Sequence, residues 1–410
     1  MIHQLIKIMW KQRTKNSWII LELFLVFILM WCLIDPLVVL GLTRRNPVGI
    51  DIENVYRVKL SVYQEKNPNY IPYEKGSTDA GENFLRVIQQ IQQHPEVTDV
   101  AYTNMFPLYS GWYSGGDYGI NEVSFYLHNF WASPVFFNVF NLPDIPGFLQ
   151  PNHIVITKNF AEDIFPDARI GEQITIGAGG STATIAGFTE PMKRHDFARY
   201  DYHRIYPILE QEVYEMDERT LWSRLIIYIR VKPGVDSNTF ASRFKENMDN
   251  QLKIGNFFLS DVISLSKIRH NYLEEIGIYD TIRNNIQIGV FFLVNIFLAV
   301  VGTFWLRISK RKSELALRMA LGAERKTILW QMLSESYILF FAACIPAILV
   351  CINLINTDVL SLERMDFTME RFLWDTLLTF AIFFIAITLA TLYPAYRSSQ
   401  IQPAEALRDE

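Results

Sequence analysis

Four long apolar runs interrupt an otherwise mixed pattern of hydrophobic and polar positions. They cover roughly Trp18–Ile34, Ile286–Leu306, Ile328–Ile355 and Phe372–Tyr393. Each is long enough for a helix that crosses a bilayer, which takes ~20 residues. The pattern therefore predicts an α-helical membrane protein with four transmembrane helices, assigned to residues 17–42, 267–306, 328–355 and 372–396.

The polar stretch between the first two spans, residues 43–266, carries strand and helix periodicities of a folded α+β domain. The predicted strands are Val55–Tyr63, Val97–Tyr102, His153–Thr157, Gln173–Ile176, Thr182–Phe188, Leu225–Val231 and Phe257–Ser266. The predicted helices are Gly81–His94, Asn159–Phe165 and Ser237–Gln251. They form two β-α-β units that flank an inserted β-rich part, and the length suits one substantial globular unit or two small ones.

The stretch that follows, from Lys267 to Leu306, contains no strong helix breaker except Gly277 and Gly289. It predicts one long helix that continues from a stalk into the second span. At ~1.5 Å per residue such a helix would extend about 60 Å.

Charge asymmetry gives a consistent topology. Residues 1–17 contain four Lys or Arg residues and no acid, and residues 307–327 are also strongly basic, whereas the short connection 356–371 is acidic. By the positive-inside rule the first two belong in the cytoplasm and the third outside, so the tail 397–410 returns to the cytoplasm. Residues 1–16 fit an amphipathic helix in the inner interface. A cleaved signal peptide is the rival interpretation, but no A-x-A-like site follows.

The composition supports a multi-pass protein of the inner membrane. Hydrophobic residues make up 50% and charged residues only 20% of the 410 positions, which excludes an ordinary soluble protein. The net charge of −5 gives no reason to expect nucleic acid as a partner. All three cysteines, Cys32, Cys344 and Cys351, lie in apolar runs, so the domain outside is expected to fold without disulfides.

The basic segment between the second and third spans predicts a short helix. Ser313 suits the start, Glu314 and Arg318 form an i,i+4 pair, and Gly322 suits the C′ position, so the helix should end near Leu321. A helix this short and apolar is marginal in water without a packing partner. Two interpretations stay open: a cytoplasmic loop that folds back on its own membrane helices, or a helix that docks onto a partner protein.

Sequence motifs in this block resemble the permease subunits of FtsX-like, MacB-type ABC transporters. The matches are ELALRMALGA, from Glu314 to Ala323, and YPAYRSSQIQPAEALR near the C-terminus. HIVITKNFAEDIFPDARIGEQITI and IYIRVKPGVDSNTFASRF are more weakly similar to a MacB-like periplasmic core domain. The resemblance implies that the helix Ser313–Leu321 contacts a separate ATPase subunit. The candidate contact residues are Glu314, Leu315, Leu317, Arg318, Met319, Leu321 and Gly322.

The same resemblance implies further partners and a function. ATP and Mg²⁺ would bind to the ATPase and no cofactor to this chain, which would not be an enzyme. A second permease copy or paralogue, membrane lipid and a periplasmic adaptor are the other expected partners. Export of a substrate by mechanotransmission is the first hypothesis, and a non-transporting signal protein that controls a cell-wall hydrolase is the alternative.

Other motifs receive structural interpretations. The glycines of 177–180 lack the Gly-Lys-Ser/Thr of a phosphate loop and favour a hairpin. A metal site at His195, Asp196, Asp201 and His203 fits no standard ligand spacing, and a polar surface loop explains them as well. The aromatic-rich stretch 105–142 favours a core over a contact surface. Within the first span, Glu22 is expected to snorkel or to meet the basic cluster 307–312, and Asp35-Pro36 to mark the exit from the membrane. No catalytic residue is indicated.

Overall fold

The computed structural model describes residues 13–74, 76–120, 123–176, 182–310, 317–318, 321–355, 357, 360–362 and 364–399. The chain divides into two compact units. One, here called the membrane unit, comprises the residues up to Arg45 and those from Tyr279 onward. The other, the sheet domain, runs from Asn46 to Ile278.

Helices and strands are numbered in chain order. The helices are α1 (Arg13–Arg45), α2 (Asp79–Gln92), α3 (Phe136–Val139), α4 (Lys158–Ile164), α5 (Glu210–Glu215), α6 (Glu218–Arg224), α7 (Ser237–Met248), α8 (Leu265–Glu275), α9 (Ile278–Ser309), α10 (Arg325–Leu354) and α11 (Met369–Ser399). The strands are β1 (Val55–Val62), β2 (Val97–Asn104), β3 (Ser114–Ile120), β4 (Val123–Ala132), β5 (His153–Thr157), β6 (Gln173–Thr175), β7 (Thr182–Thr189), β8 (Tyr202–Pro207), β9 (Leu225–Val231) and β10 (Phe257–Ser264).

The membrane unit contains four helices long and apolar enough to cross a bilayer, within α1, α9, α10 and α11. This confirms the four predicted spans. Helices α1, α10 and α11 pack closely around a core that includes Phe27, Trp31, Phe340 and Phe383. Among the described side chains of α9, two buried ones, Ile296 and Val300, belong to that core. Most of the α9 span is therefore exposed within one copy of the chain.

Helix α1 does not end at Asp35-Pro36, and the position of the membrane exit stays a prediction. The helix continues to Arg45 with Pro36 inside it, and Asp35 is buried. Proline in a spanning helix is tolerated because neighbouring helices satisfy the backbone group that it frees. The aspartate is accommodated because an arginine from α11 pairs with it.

One mixed sheet of ten strands organises the sheet domain. The strand order is β10-β1-β9-β2-β4-β8-β5-β7-β6, and β3 pairs with β4. Strand β9 lies between β1 and β2 and is antiparallel to both, while β1 also pairs with β10. The two predicted β-α-β units therefore interleave in a single sheet instead of forming separate lobes. Their helices α2 and α7 contribute Phe84, Val87, Phe240 and Phe244 to one shared core.

The helix predicted to continue without a break from Lys267 to Leu306 is in fact two helices. Helix α8 ends at Glu275 and α9 begins at Ile278, and Gly277 between them has a φ of +70°. Leu265 and Ile268 of α8 pack into a core of the sheet domain. The predicted domain boundary at residue 266 is therefore too early, because α8 is held by this core.

Gly49 is expected to be among the least replaceable residues of the sheet domain. Its φ is +93°, and an added Cβ would lie 2.0 Å from the Pro191 carbonyl oxygen. We expect Gly49→Ala to lower the thermal midpoint of the sheet domain clearly, because both the backbone and the neighbouring chain must shift. Gly234→Ala is the matched control, since Gly234 has a φ of +87° with nothing within 4 Å of the added Cβ. Equal midpoints for the two variants, measured by thermal unfolding, would show that the close contact of Gly49 with Pro191 does not affect stability.

Candidate functional site

The segment predicted to bind an ATPase is described at Leu317, Arg318 and from Leu321 onward. Three candidate contacts, Glu314, Leu315 and Met319, lie outside the described residues. The ATPase contact of the whole set remains a prediction. Its described members nevertheless define the end of the segment and its attachment to the membrane unit.

The backbone around Gly322 has the geometry predicted for a helix end. The Leu321 N–H donates to the Leu317 carbonyl, and the Ala323 N–H donates to the Arg318 carbonyl, both at 3.0 Å. The second bond spans six residues, as in a Schellman motif, and Gly322 takes the left-handed conformation with a φ of +97°. The segment therefore turns away from helical geometry directly after Leu321.

Polar contacts attach the segment to α10. Arg318 Nη1 donates to Gln331 Oε1 at 2.9 Å, and Gln331 Nε2 donates to Glu335 Oε1 at 3.2 Å. Glu335 is buried, with 4% of its surface exposed. Ala323 packs against the side-chain cluster of Ile328, Met332 and Ala395. The segment is thus linked through Arg318 to the interior of α10, and through Ala323 to α10 and α11.

Two described leucines of the segment are largely exposed. Leu317 is 51% exposed and Leu321 is 80% exposed. They are four residues apart, joined by the helical bond between their backbones. A large apolar side chain that is 80% exposed lacks the favourable free energy that burial of its surface would give. Leu317 and Leu321 are therefore large apolar side chains with most or half of their surface exposed.

A second polar site lies inside the membrane unit, between α1 and α11. Arg371 donates from Nε to Asp35 Oδ1 and from Nη2 to Asp35 Oδ2, both at 2.7 Å. Arg371 also donates to the carbonyls of Met365 and Ser361 at 2.8 and 3.2 Å. The Arg371 side chain has no exposed surface and Asp35 only 4%. This bidentate, buried ion pair fixes the first span to the last one and to the connection before it.

Sequence analysis assigned Arg371 to the outer loop and so missed this pair. The signal that could have found it is the spacing of Arg371 and Asp375 at i,i+4 in the first turns of an apolar run, since intramembrane ionisable residues are functional candidates. For Glu22 the described contact is with Thr303, whereas Arg307, Arg311 and Lys312 of the predicted basic cluster have side chains outside the described part of the chain. Thr303 Oγ1 donates to the two Glu22 carboxylate oxygens at 3.0 and 3.2 Å.

In the sheet domain, the two aspartates among the four residues considered as metal ligands each pair with an arginine, and His195 Nδ1 accepts from the Phe197 N–H. Arg269 forms a two-point contact with Asp196, which also accepts from the Tyr109 hydroxyl at 3.2 Å. Arg194 Nε donates to Asp201 at 2.9 Å, and His203 Nδ1 contacts the Asp201 carbonyl oxygen at 3.1 Å. Within the described ranges, no group of three metal-ligating side chains comes together. Because arginines engage the carboxylates, the arrangement acts as a structural polar network.

Next to this network, two buried histidine rings stack. The His128 and His203 ring centroids are 5.3 Å apart with 25° between planes, and His128 Nε2 lies 3.8 Å from Asp201 Oδ2. Burial lowers the pKa of His128 to about 4, against the opposing effect of Asp201. Burial likewise lowers the pKa of His203 to about 3, with the neighbouring His128 adding to the effect. Both rings are therefore neutral at physiological pH.

The aromatic-rich stretch is mainly core, as predicted. Phe106, Phe130, Phe136 and Phe140 form mutual ring contacts at centroid distances of 4.9–5.5 Å and are buried. Trp112 is the main exception, with 79% of its surface exposed.

Comparison with known families gives the architecture an identity. The family model for the MacB-like periplasmic core domain matches residues 37–247, more than half of the chain. The model for the FtsX-like permease C-terminal region matches residues 286–403. The chain belongs to the FtsX-like permeases with a MacB-like periplasmic core domain. This is a family of permease subunits of ABC-transporter type, and the chain is a multi-pass membrane protein.

Three solved structures are similar to part of this FtsX-like permease. A domain of a permease protein from Porphyromonas gingivalis shares 15% identity, covering 51% of this chain and 90% of that one, with a TM-score of 0.31. The periplasmic region of MacB from Actinobacillus actinomycetemcomitans shares 10% identity, covering 52% and 90%, with a TM-score of 0.30. The extracellular domain of the noncanonic ABC-type transporter YknZ from Gram-positive bacteria shares 12%, covering 50% and 100%, with a TM-score of 0.28. No curated protein matches the sequence.

The neutral histidines give the permease an acid sensitivity that we expect to be measurable. Because the pKa of His128 falls from 6.5 to about 4 on folding, the unfolded chain binds this proton more tightly. The stability that His128 provides is therefore complete above about pH 6.5 and is lost as the pH falls towards about 4. We expect His128→Gln to flatten the fall of the thermal midpoint over that window, measured by protease resistance of the sheet domain. His270→Gln, at an exposed position in α8, is the control. Curves for His128→Gln that run parallel to the parent's would contradict the assignment.

Proposed function

We propose that this permease is the membrane subunit of an ABC transporter of the mechanotransmission type. A separate ATPase chain binds ATP and Mg²⁺, and its closure moves the 307–327 segment. The membrane unit passes this motion to the sheet domain, which acts on an exported substrate outside the inner membrane. Both termini and the 307–327 segment face the cytoplasm, in accordance with the Lys/Arg bias.

The observation that carries this proposal is the combination of exposure and attachment in the segment. Leu317 and Leu321 offer apolar surface to a partner. The residue next to Leu317, Arg318, is bonded through Gln331 towards buried Glu335 in α10. A displacement of the two leucines by a partner therefore acts on α10, a membrane-spanning helix. Transmission across a membrane requires such a connection. A loop that only covers its own helices would have its leucines turned inward.

We further propose that the permease works in pairs, with an identical or a paralogous second copy. The limited burial of α9 within one chain supports this, since its apolar surface then faces the second copy or lipid. Native mass spectrometry of the detergent-solubilised complex counts the permeases directly. A single permease in an active complex would contradict the pairing.

Affinity purification of the full chain from its native membrane tests the function. We expect an ABC ATPase to co-purify in a fixed ratio and the complex to hydrolyse ATP. A periplasmic adaptor in the same complex would favour export, whereas a cell-wall hydrolase would favour the alternative role in signalling. A permease purified in folded form with no ABC ATPase would contradict both roles.

A further inference from the structure

The buried ion pair of Asp35 and Arg371 has a third member. Asp375 lies one helical turn after Arg371 on α11 and has no exposed surface. It lies within hydrogen-bonding range of Asp35 and close to the Arg371 charge. Both carboxyl oxygens of Asp375 lack a donor among the described residues.

Charge balance at this place is incomplete if both acids are ionised. Two carboxylates and one guanidinium leave a net negative charge inside a bundle of apolar helices, where an uncompensated charge costs several kcal/mol even after relaxation. Arg371 does not bond to Asp375, because Nε and Nη2 donate to Asp35, Nη1 donates to the Met365 carbonyl and Nη2 also donates to the Ser361 carbonyl. Two like charges at hydrogen-bonding range disfavour double ionisation, as in any carboxyl pair that shares a site.

A single proton resolves both difficulties. A protonated Asp375 becomes a donor, and its hydroxyl group can bond to the Asp35 carboxylate beside it. The site then carries one negative and one positive charge, and each acid has a partner. Further polar atoms without partners continue one turn deeper along the same two helices: Trp31 Nε1 lies four residues before Asp35, and Thr379 Oγ1 four residues after Asp375.

We propose that Asp35 and Asp375 share one proton, which makes the interface between the first and last spans a proton-binding site. The bound proton links α1 to α11 beside Arg371. The titratable and charged groups that face the pair are Arg371 on α11, Cys351 on α10 and Cys32 on α1. No cation among the described side chains other than Arg371 bonds to either acid. Loss of the proton would leave the acids to repel each other and would favour separation of the two helices.

Carbodiimide labelling tests the site in the full chain, held in lipid nanodiscs. Apolar carbodiimides attack protonated carboxyl groups in apolar surroundings, and mass spectrometry locates the adduct. We expect an adduct on Asp375 or Asp35 at about pH 6, and at least about tenfold less at about pH 9. A shared proton also predicts the behaviour of the single variants. Asp375→Asn and Asp35→Asn should each abolish labelling at the remaining acid, because that acid then pairs with Arg371 alone. Asp280→Asn, at an exposed acid of α9, should leave the labelling unchanged.

A second measurement decides between the possibilities if no labelling is observed. As the pH rises from about 6 to about 9, the thermal midpoint of the parent should decrease relative to that of Asp375→Asn, and the difference should grow with pH. Unaltered labelling of one acid after removal of the other would overturn the shared proton. So would protection from labelling by Na⁺ at constant pH, which would assign the site to a metal cation. No adduct together with a constant midpoint difference would show that both acids are ionised.

Discussion

Replacing Arg371 by Met should destabilise the membrane unit by about 3–5 kcal/mol, because it leaves Asp35 buried without its charge partner. The arginine has no exposed surface and makes two 2.7 Å bonds to that carboxylate. We expect a large fall in the thermal midpoint of the detergent-solubilised chain, or a loss of folded protein from the membrane. The sheet domain has its own cores and should keep its protease resistance.

Two variants show whether the pair itself is responsible. Combining Asp35→Leu with Arg371→Met should recover much of the lost stability, since apolar replacements remove both charges together. Arg45→Met is the matched single control. Arg45 lies in the same unit, but its pairing with Glu370 at 4.0 Å joins side chains that are 74% and 58% exposed, so we expect little effect. A thermal midpoint for Arg371→Met equal to that of Arg45→Met would show that the ion pair does not stabilise the membrane unit.

Replacing both Leu317 and Leu321 by Asp should separate the permease from its ATPase while leaving its own fold intact. The side chains are 51% and 80% exposed, so aspartates in the free chain stay in water. In a complex they would enter an apolar groove, at a cost of several kcal/mol for each buried charge. That is enough to weaken a micromolar contact by orders of magnitude. The measurements are co-purification of the ATPase and its hydrolysis rate.

The control for this pair is Ile170→Asp, the same kind of apolar-to-charged change at a 68% exposed position of the sheet domain. It should leave partner binding unchanged. If the double variant instead expresses poorly and loses protease resistance, the segment packs on its own membrane helices. Normal binding and normal hydrolysis would remove the docking role from Leu317 and Leu321.

The sequence was most informative where a pattern is local. Apolar length alone located the spans, and β5 and β9 were predicted with the bounds that the structure has, because each is a short apolar run beside turn residues. The helix end at Gly322 followed from the chemistry of a single glycine. Strands β3 and β4 were not predicted, since three glycines in β3 weaken its strand signal and the aromatics of β4 lack a period of two.

Contacts between distant residues could not be predicted. Asp35 and Arg371 are 336 positions apart, and neither shows by its own neighbourhood that the other will meet it. Asp35 was therefore placed at a membrane exit and Arg371 in a loop, each by a sound local argument. The position of β9 between β1 and β2 could not be predicted for the same reason, because local periodicity predicts strands but not their partners.

The most direct test of the central claim, that the 307–327 segment couples the permease to an ATPase, is a cross-link from Leu321. The three native cysteines, Cys32, Cys344 and Cys351, are free thiols and are first replaced. Leu321→Cys is then reacted with a short cross-linker in native membranes, with and without a non-hydrolysable ATP analogue. We predict a cross-link to an ABC ATPase whose yield changes with nucleotide. Labelling of this cysteine by a membrane-impermeant reagent in intact cells, with no cross-link to an ATPase, would contradict the claim.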